Sequence, residues 1–257
     1  MSNFRDTWMI HAGGTEVPRA KLEDEGIIPA TTRSYTPVPH NIFANMVEDS
    51  LRNAGFEIGE QLYALGREGK TMFGVAELLN EGLTPDTYRL VAGFRSSYDK
   101  STSAGFVIGS QVFVCDNGCF SGDIKVGRKH TTNVMRDLPY QLFQATAGIR
   151  DMAAKQNQRY EKYQEVEMKD NDASHVIIEM VKRNIIPSSK VGQVINEYWE
   201  PTHDEHKVDS KHSNWTLFNA TTEALKGSGS LGMLSDRTIK LHTLMDEASE
   251  FELPLAA

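Results

Sequence analysis

The stretch from Tyr88 to Arg136 carries most of the chemistry that the sequence offers. It contains seven lysines and arginines against three aspartates, a local charge of +4 (seven minus three), in a chain of 257 residues whose formal net charge is −8. Aromatic residues alternate with these cations. Proteins that bind single-stranded nucleic acid use this combination, because cations follow the phosphate backbone while aromatic rings stack on bases. The stretch therefore predicts a surface for single-stranded nucleic acid.

We assign that surface to cations at two predicted turns and to their neighbours. One turn lies around Lys100 and the other around Arg128–His130, and turns of neighbouring hairpins can meet at one end of a sheet. The predicted nucleic-acid-binding residues are Arg95, Tyr98, Lys100, Lys125, Arg128, Lys129 and Arg136, with Tyr98 as the ring that stacks on a base. The alternative is that the aromatics belong to the core and the cations to a solvated sheet face.

Asp99 and the serines two positions before and after it are the residues that most resemble a catalytic cluster. Ser97 and Ser101 flank this aspartate, but a serine nucleophile needs a positioned base, and no histidine lies nearby in the sequence. A tight turn with hydrogen bonds from the aspartate side chain to the backbone explains the same residues. We therefore predict no catalytic residue and treat an enzymatic role as the weaker hypothesis.

Cys115, Cys119 and His130 could supply three of the four ligands of a zinc site. A fourth could come from His203, His206 or His212, but nothing in the sequence brings these residues together. We predict no metal and no cofactor. The chain begins without the apolar stretch of a signal peptide and contains no run of about 20 apolar residues. We therefore expect a cytoplasmic protein with no membrane partner, in which both cysteines are reduced thiols.

The hydrophobic periodicity predicts an α+β fold. A helix is expected to start at Asn41, followed by a hairpin with its turn at Arg67–Lys70 and by further strands, for an antiparallel sheet of about five or six strands. The other predicted strands are Tyr88–Phe94, Ala104–Ile108, Gln111–Cys115 and Ile124–Val126. A long helix from Leu138 to about Val166 should pack on the sheet with only its first half in the core. Helices at 173–182, 190–199, 215–225 and 236–248 form the C-terminal third.

Three parts are predicted along the chain. Residues 1–40 form an irregular arm, residues 41–226 the α+β core domain, and residues 227–257 a flexible joint, a helix and an acidic tail. The tail carries Phe251, Leu253 and Leu255, which we interpret as a contact for replication or recombination proteins. Removal of residues 246–257 is expected to leave the fold intact.

Two separated motifs resemble the phage/plasmid-like protein family, whose defining segment is domain of unknown function 932. The first comprises Phe94–Ser101, Val112–Asn117, Phe120–Gly122 and Arg128–Thr131, and the second is Trp215–Glu223. The family pattern has a histidine before the aspartate where this chain has Tyr98. The resemblance covers roughly residues 40–225 and implies a phage or plasmid setting without an established activity. The order of strands and long helix is also loosely similar to Rad52-like single-strand annealing proteins.

The sequence thus predicts a phage- or plasmid-encoded protein that binds, and in one version anneals, single-stranded DNA in replication or recombination. Assembly into a homo-oligomer is compatible with this role. An interaction protein that inhibits a host defence or restriction factor is the first alternative, since an acidic surface suits it. A metal-dependent enzyme acting on nucleic acids is the second.

Overall fold

A computed structural model describes residues 14–23, 28–79, 88–112, 118–202, 212–226 and 231–250, without the side chains of 111, 112, 118–125, 231, 232, 235 and 250. Within these residues, six strands form one antiparallel sheet in chain order. They are β1 (Thr15–Glu16), β2 (Glu57–Gly66), β3 (Thr71–Leu79), β4 (Tyr88–Ser97), β5 (Ala104–Val112) and β6 (Gly118–Arg128). The predicted α+β class and the antiparallel sheet are confirmed.

Seven α-helices accompany the sheet in the described part of the chain, and six of them follow β6. They are α1 (His40–Asn53), α2 (Val134–Ala147), α3 (Ile149–Glu165), α4 (Asp170–Lys182), α5 (Val191–Trp199), α6 (Asn214–Leu225) and α7 (Leu231–Glu250). The helical C-terminal part is therefore confirmed as well. None of the described helices combines the length and the apolar character needed to span a bilayer.

Glycines shape the first hairpin. Its turn places Arg67, Glu68 and Gly69 at φ values of 50°, 58° and 82°. These lie in the left-handed region, which glycine adopts at little cost. Further along β3, a Cβ on Gly74 would lie 2.3 Å from the ring of Phe94 on β4, so only glycine lets that ring cross the neighbouring strand. The hairpin predicted around Arg67–Lys70 is confirmed.

β5 is one strand where the sequence predicted two, Ala104–Ile108 and part of Gln111–Cys115. The predicted break at Gly109 does not occur, because that residue pairs with β4 and β6 on either side. Ser110 is buried, and its hydroxyl hydrogen-bonds the hydroxyl of Tyr160 at 2.7 Å. Pairing on both sides and a buried partner therefore override the local turn signal.

The predicted long helix from Leu138 to Val166 is two helices. The break falls at Gly148, between α2 and α3, where glycine costs about 1 kcal/mol relative to alanine in a helix. The expectation that only the first half is anchored in the core is wrong. In α3, Gln156, Tyr160 and Tyr163 are buried with exposures of 1%, 4% and 0%.

One hydrophobic core includes residues from all three predicted parts of the chain. Leu22 and Val38 reach it from the predicted arm, and Leu241, Leu244 and Met245 reach it from α7. The C-terminal helix is therefore part of the core rather than an appendage behind a joint. The joint itself, residues 227–230, lies outside the described residues.

The end of α7 is fixed to the core by charged side chains. The carboxylate of Asp246 accepts hydrogen bonds from Arg159 Nε at 3.0 Å and from Tyr163 Oη at 2.7 Å. Glu247 forms an ion pair with Arg183 at 2.8 Å. Truncation at residue 246 would therefore remove partners of partly buried groups.

The helix α6, which carries the motif Trp215–Glu223, lies at the centre of the helical part. All of its residues are buried except Glu223, which is half-buried. Aromatic rings cluster around it. The ring centroid of Tyr160 lies 5.0 Å from that of Trp215, and the ring centroid of Phe218 lies 5.0 Å from that of His242. This motif therefore builds the core.

Candidate functional site

A cleft of about 640 Å³ opens where the turn between β4 and β5 meets the end of β6. We call it the basic cleft. It joins the two predicted basic turns with the segment before α1, and its lining residues are Ser34, Tyr35, Lys100, Ser101, Thr102, Ser103, Gly127, Lys129, His130 and Thr131. Lys100 and Lys129, which are 29 positions apart in the chain, therefore border the same space.

The turn that carries Lys100 is organised by Asp99. Oδ1 of Asp99 accepts a hydrogen bond from the backbone N–H of Ser101 at 2.9 Å, and Lys100 takes a φ of 63°. Oδ2 of the same aspartate forms an ion pair with Arg67 at 2.9 Å. The hydrogen bonds from Ser101 and then the contact with Arg67 hold the pKa of Asp99 well below its usual range. This is the turn with aspartate-to-backbone hydrogen bonds that the sequence offered as the alternative to catalysis.

One wall of the basic cleft comes from the segment before α1. The ammonium of Lys100 lies 4.6 Å from the ring centroid of Tyr35, close enough for a cation–π interaction. The hydroxyl of Tyr35 donates to the carbonyl of Tyr98 at 3.0 Å, and the N–H of Thr36 donates to the carbonyl of His130 at 3.2 Å. These contacts fasten the wall to both basic turns.

Tyr98 is not available to stack on a base, so that part of the sequence prediction is wrong. Only 7% of the residue is exposed, and its ring lies parallel to that of His40 with centroids 3.9 Å apart. Its hydroxyl accepts a hydrogen bond from the backbone N–H of His40 at 2.8 Å. That N–H belongs to the first turn of α1, where no intrahelical acceptor exists. Tyr98 thus joins the sheet to α1 beneath the basic cleft.

Two histidines lie in this buried layer with lowered pKa values. Burial lowers the pKa of His40 to about 4, although a hydrogen bond from Nε2 to the carbonyl of Gly69 at 3.1 Å acts against that shift. Burial likewise lowers the pKa of His130, whose Nε2 lies 3.2 Å from Oγ of Ser96. This serine–histidine contact was not foreseen from the sequence. Ser96 is completely buried, so a substrate has no access to its hydroxyl.

Two of the predicted cations are tied to one aspartate beside the basic cleft. Nη2 of Arg128 lies 2.6 Å from Asp137, and Nε of Arg136 lies 2.8 Å from the same carboxylate. The side chain of Arg136 is nevertheless 74% exposed, whereas that of Arg128 is 25% exposed. Arg128 therefore mainly connects β6 to α2, and Arg136 presents its charge to solvent.

The remaining two predicted cations lie on the sheet. The Cγ atom of Arg95 is 3.6 Å from the position that a Cβ on Gly105 would occupy, so this side chain crosses the neighbouring strand. Lys125 pairs with Val107 through the β5–β6 ladder, and its side chain is outside the described structure. Arg95 is not among the lining residues of the basic cleft.

Two exposed aromatic residues that the sequence prediction missed lie on α2. Tyr140 and Phe143 are 62% and 59% exposed. They follow Arg136 by four and seven positions, so the three side chains share one side of the helix. The sequence held the signal, because both rings fall outside the core face that Leu138 and Leu142 define.

Among the described residues, no group of three or more histidine, cysteine, aspartate or glutamate side chains is placed to hold a metal ion. His212 lines a second cleft, of about 520 Å³, at the start of α4, away from His130. Several residues of the sequence predictions fall outside the described structure, namely Cys115, His203, His206, Phe251, Leu253, Leu255 and the side chain of Cys119.

Fold and site together define an antiparallel six-stranded meander with a basic cleft at one sheet end and a helical layer behind it. Residues 30–245 match the family described as Domain of unknown function (DUF932), and the chain belongs to that family. No curated protein and no solved structure matches the chain at a significant level. Both motifs lie within the matched residues; the first contributes to the basic cleft, and the second forms α6.

Proposed function

We propose that this chain binds single-stranded nucleic acid, with the phosphate backbone in the basic cleft. The observation that carries the proposal is that Lys100 and Lys129, from two different turns, border one cleft together with hydroxyl side chains. Those hydroxyls belong to Ser34, Ser101, Thr102, Ser103 and Thr131. Lysine, serine and threonine side chains make many of the contacts that proteins form with phosphate and sugar. Such contacts fix the strand and carry little sequence preference.

The local charge supports this choice despite the net charge of −8. At physiological ionic strength, charges are screened beyond about 8 Å, so the nearest groups dominate. The acid nearest to Lys100 in the chain is Asp99, and it is already paired with Arg67. A phosphate in the basic cleft would therefore meet two ammonium groups before any unbalanced carboxylate of that turn.

The biological setting in the proposal is replication or recombination of a phage or plasmid in the cytoplasm of the host. Annealing of complementary strands is one outcome that such binding allows. Phe251, Leu253 and Leu255 remain the proposed contact for replication or recombination proteins. This contact is independent of the basic cleft and requires its own test.

Alanine at both Lys100 and Lys129 tests the proposal. Binding of a fluorescent oligothymidylate is measured by anisotropy over a series of KCl concentrations. The double variant should bind more weakly at low salt, and its plot of log affinity against log salt should be shallower by about 1.4, since each lost single-strand contact removes about 0.7.

Lys155→Ala is the matched control. This lysine is exposed on α3. Tyr160 of the same helix contacts Ser110, at the end of the sheet opposite the basic cleft. The control variant should match the parent in affinity and slope. All variants should stay folded, with at most a small fall in melting temperature for the double variant, because both lysines are exposed and Lys100 loses only its contact with the ring of Tyr35. The proposal fails if the parent does not bind at low salt, or if the double variant binds as the parent does.

A further inference from the structure

The outward side of α2 carries a cation and two large aromatic rings in a row. Arg136, Tyr140 and Phe143 form this row, which we call the α2 stripe. The side chain of Arg136 is 74% exposed, and the two rings are 62% and 59% exposed. At 1.5 Å per residue, the row is about 10 Å long.

The exposure of these rings is not explained by the packing of α2. The helix already has a core side, on which Val134, Leu138 and Leu142 are completely buried. Tyr140 has a hydrogen bond from Gln144 at 2.7 Å, a contact along the helix surface that leaves the ring in solvent. Two adjacent exposed rings cost free energy in water, so a ligand that covers them is favoured.

The α2 stripe is continuous with the basic cleft. Thr131 lines the cleft, and α2 begins three residues later at Val134. Asp137 connects the two features, because it binds both Arg128 at the end of β6 and Arg136 on the stripe. In α2, all of which the structure describes, Asp137 is the only acidic residue. The stripe therefore presents rings and a cation with no carboxylate that lacks a basic partner.

We infer that the α2 stripe stacks the unpaired bases of the same strand whose phosphates lie in the basic cleft. This inference rests on the proposed function and adds its second half, the recognition of bases by their faces. Every base has a π-face, so stacking on Tyr140 and Phe143 tolerates any sequence. Arg136 at the cleft end of the stripe adds a charge for the connecting phosphates. At about 3.4 Å per nucleotide along a stacked strand, the row has room for two or three bases.

The test compares an oligothymidylate with an abasic oligonucleotide of the same length, which keeps the phosphates and lacks the bases. The parent should bind the oligothymidylate more tightly than the abasic strand. Tyr140→Ala with Phe143→Ala should weaken oligothymidylate binding by roughly 30-fold or more, at least about 5-fold for each of the two stacked bases, leave abasic binding unchanged, and keep the salt slope of the parent.

Two control variants separate stacking from other effects. Tyr140→Phe with Phe143→Tyr keeps both rings and should retain the preference for bases. Ile178→Ala removes an apolar side chain on α4 that is 54% exposed and should bind both strands as the parent does. Light scattering is recorded for every variant, because a second copy of the chain is the competing occupant of the stripe.

The possible outcomes distinguish a failure of the proposed function from a failure of the stacking role. If the parent binds neither strand, the proposed function falls and the inference falls with it. If the parent binds both strands equally, or the double alanine variant keeps the preference for bases, the proposed function stands and the stacking role is overturned. If the double alanine variant changes the oligomeric state and not the preference, the stripe is a contact between copies and the inference is wrong.

Discussion

Tyr98 lies within the first of the two motifs, yet its ring is buried against His40 and does not face solvent. Along β4, Phe94 and Ser96 point to the same side of the sheet, and alternation continues to Tyr98 just beyond the strand. That side faces α1, where Phe43 packs edge-on against Phe94 at 6.1 Å. The prediction that Tyr98 stacks on a base rested on its position beside a charged turn, and it did not extend the period of two from Leu90, Ala92 and Phe94, which places this ring on the inward side. For Lys100 and Lys129, the local sequence was sufficient to predict their positions at two turns.

The buried histidines give the protein a stability that depends on pH. Burial lowers the pKa of His40 from its ordinary value of 6.5 to about 4. Between these two pH values the unfolded chain binds a proton at this position and the folded chain does not. Stability therefore rises with pH in that window. We expect the free energy of unfolding to fall as the pH is lowered from about 6.5 towards 4.

Chemical denaturation at pH 7, 6 and 5 measures this dependence. His40→Phe keeps a ring against Tyr98 and cannot take up a proton, so the slope of stability against pH should be smaller in this variant. His130 and His242 also have pKa values lowered by burial, so some slope should remain. An unchanged slope in His40→Phe would contradict the assignment, as would a ring titration of His40 near 6.5 in the folded protein.

At the scale of elements, the sequence was informative where the signal is local. The glycine-containing turn after β2 and the stripe of apolar residues in α1 predicted those elements with small boundary errors. The continuous helix over α2 and α3 was wrong because no proline marks the break and Gly148 alone ends α2. The buried side of α3 was missed because Gln156, Tyr160 and Tyr163 count as polar in a hydrophobic pattern. Hydrogen bonds with the sheet and with α7 make the burial of Tyr160 and Tyr163 possible, and Gln156 accepts a hydrogen bond from Arg159 of the same helix.

The C-terminal helix supports a prediction about truncation. Removal of residues 246–257 deletes one partner each of Arg159, Tyr163 and Arg183 and should lower the free energy of unfolding by about 2 kcal/mol or more. Removal of residues 251–257 alone leaves every described contact of α7 in place and should change stability by less than about 0.5 kcal/mol. Urea denaturation of the two truncated chains beside the full chain measures the difference. Equal stability of all three would show that the end of α7 contributes nothing to the core.

At the scale of the whole molecule, the basic cleft depends on contacts that no local pattern reveals. Its wall contains Tyr35, which reaches the carbonyl of Tyr98, 63 positions away. Thr132 donates to the carbonyl of Arg33 at 3.1 Å across 99 positions. The sequence located the two lysine turns, but the wall came from a segment that reads as an irregular arm. The second motif, although as distinctive in the sequence, proved to be a buried helix that packs against α3, α5 and α7.

The fold also determines how charge is distributed over the molecule. Acidic residues exceed basic ones by eight, 35 against 27, yet many described carboxylates are used in ion pairs within the helical part and at the hairpin turns. Lys100 and Lys129 meet at the sheet end, and α2 extends from there with its rings exposed. This is the surface to which we assign a single nucleic-acid strand in a molecule that is acidic overall.

Chemical protection of lysines tests this central claim most directly. The full chain is acetylated lightly at low salt with and without an excess of oligothymidylate, and each lysine is quantified by mass spectrometry. The account predicts that Lys100 and Lys129 become protected by the oligonucleotide, while Lys155 on α3 reacts equally in both samples. Equal reactivity of Lys100 and Lys129 with and without the strand, or protection of Lys155 to the same degree, would contradict it.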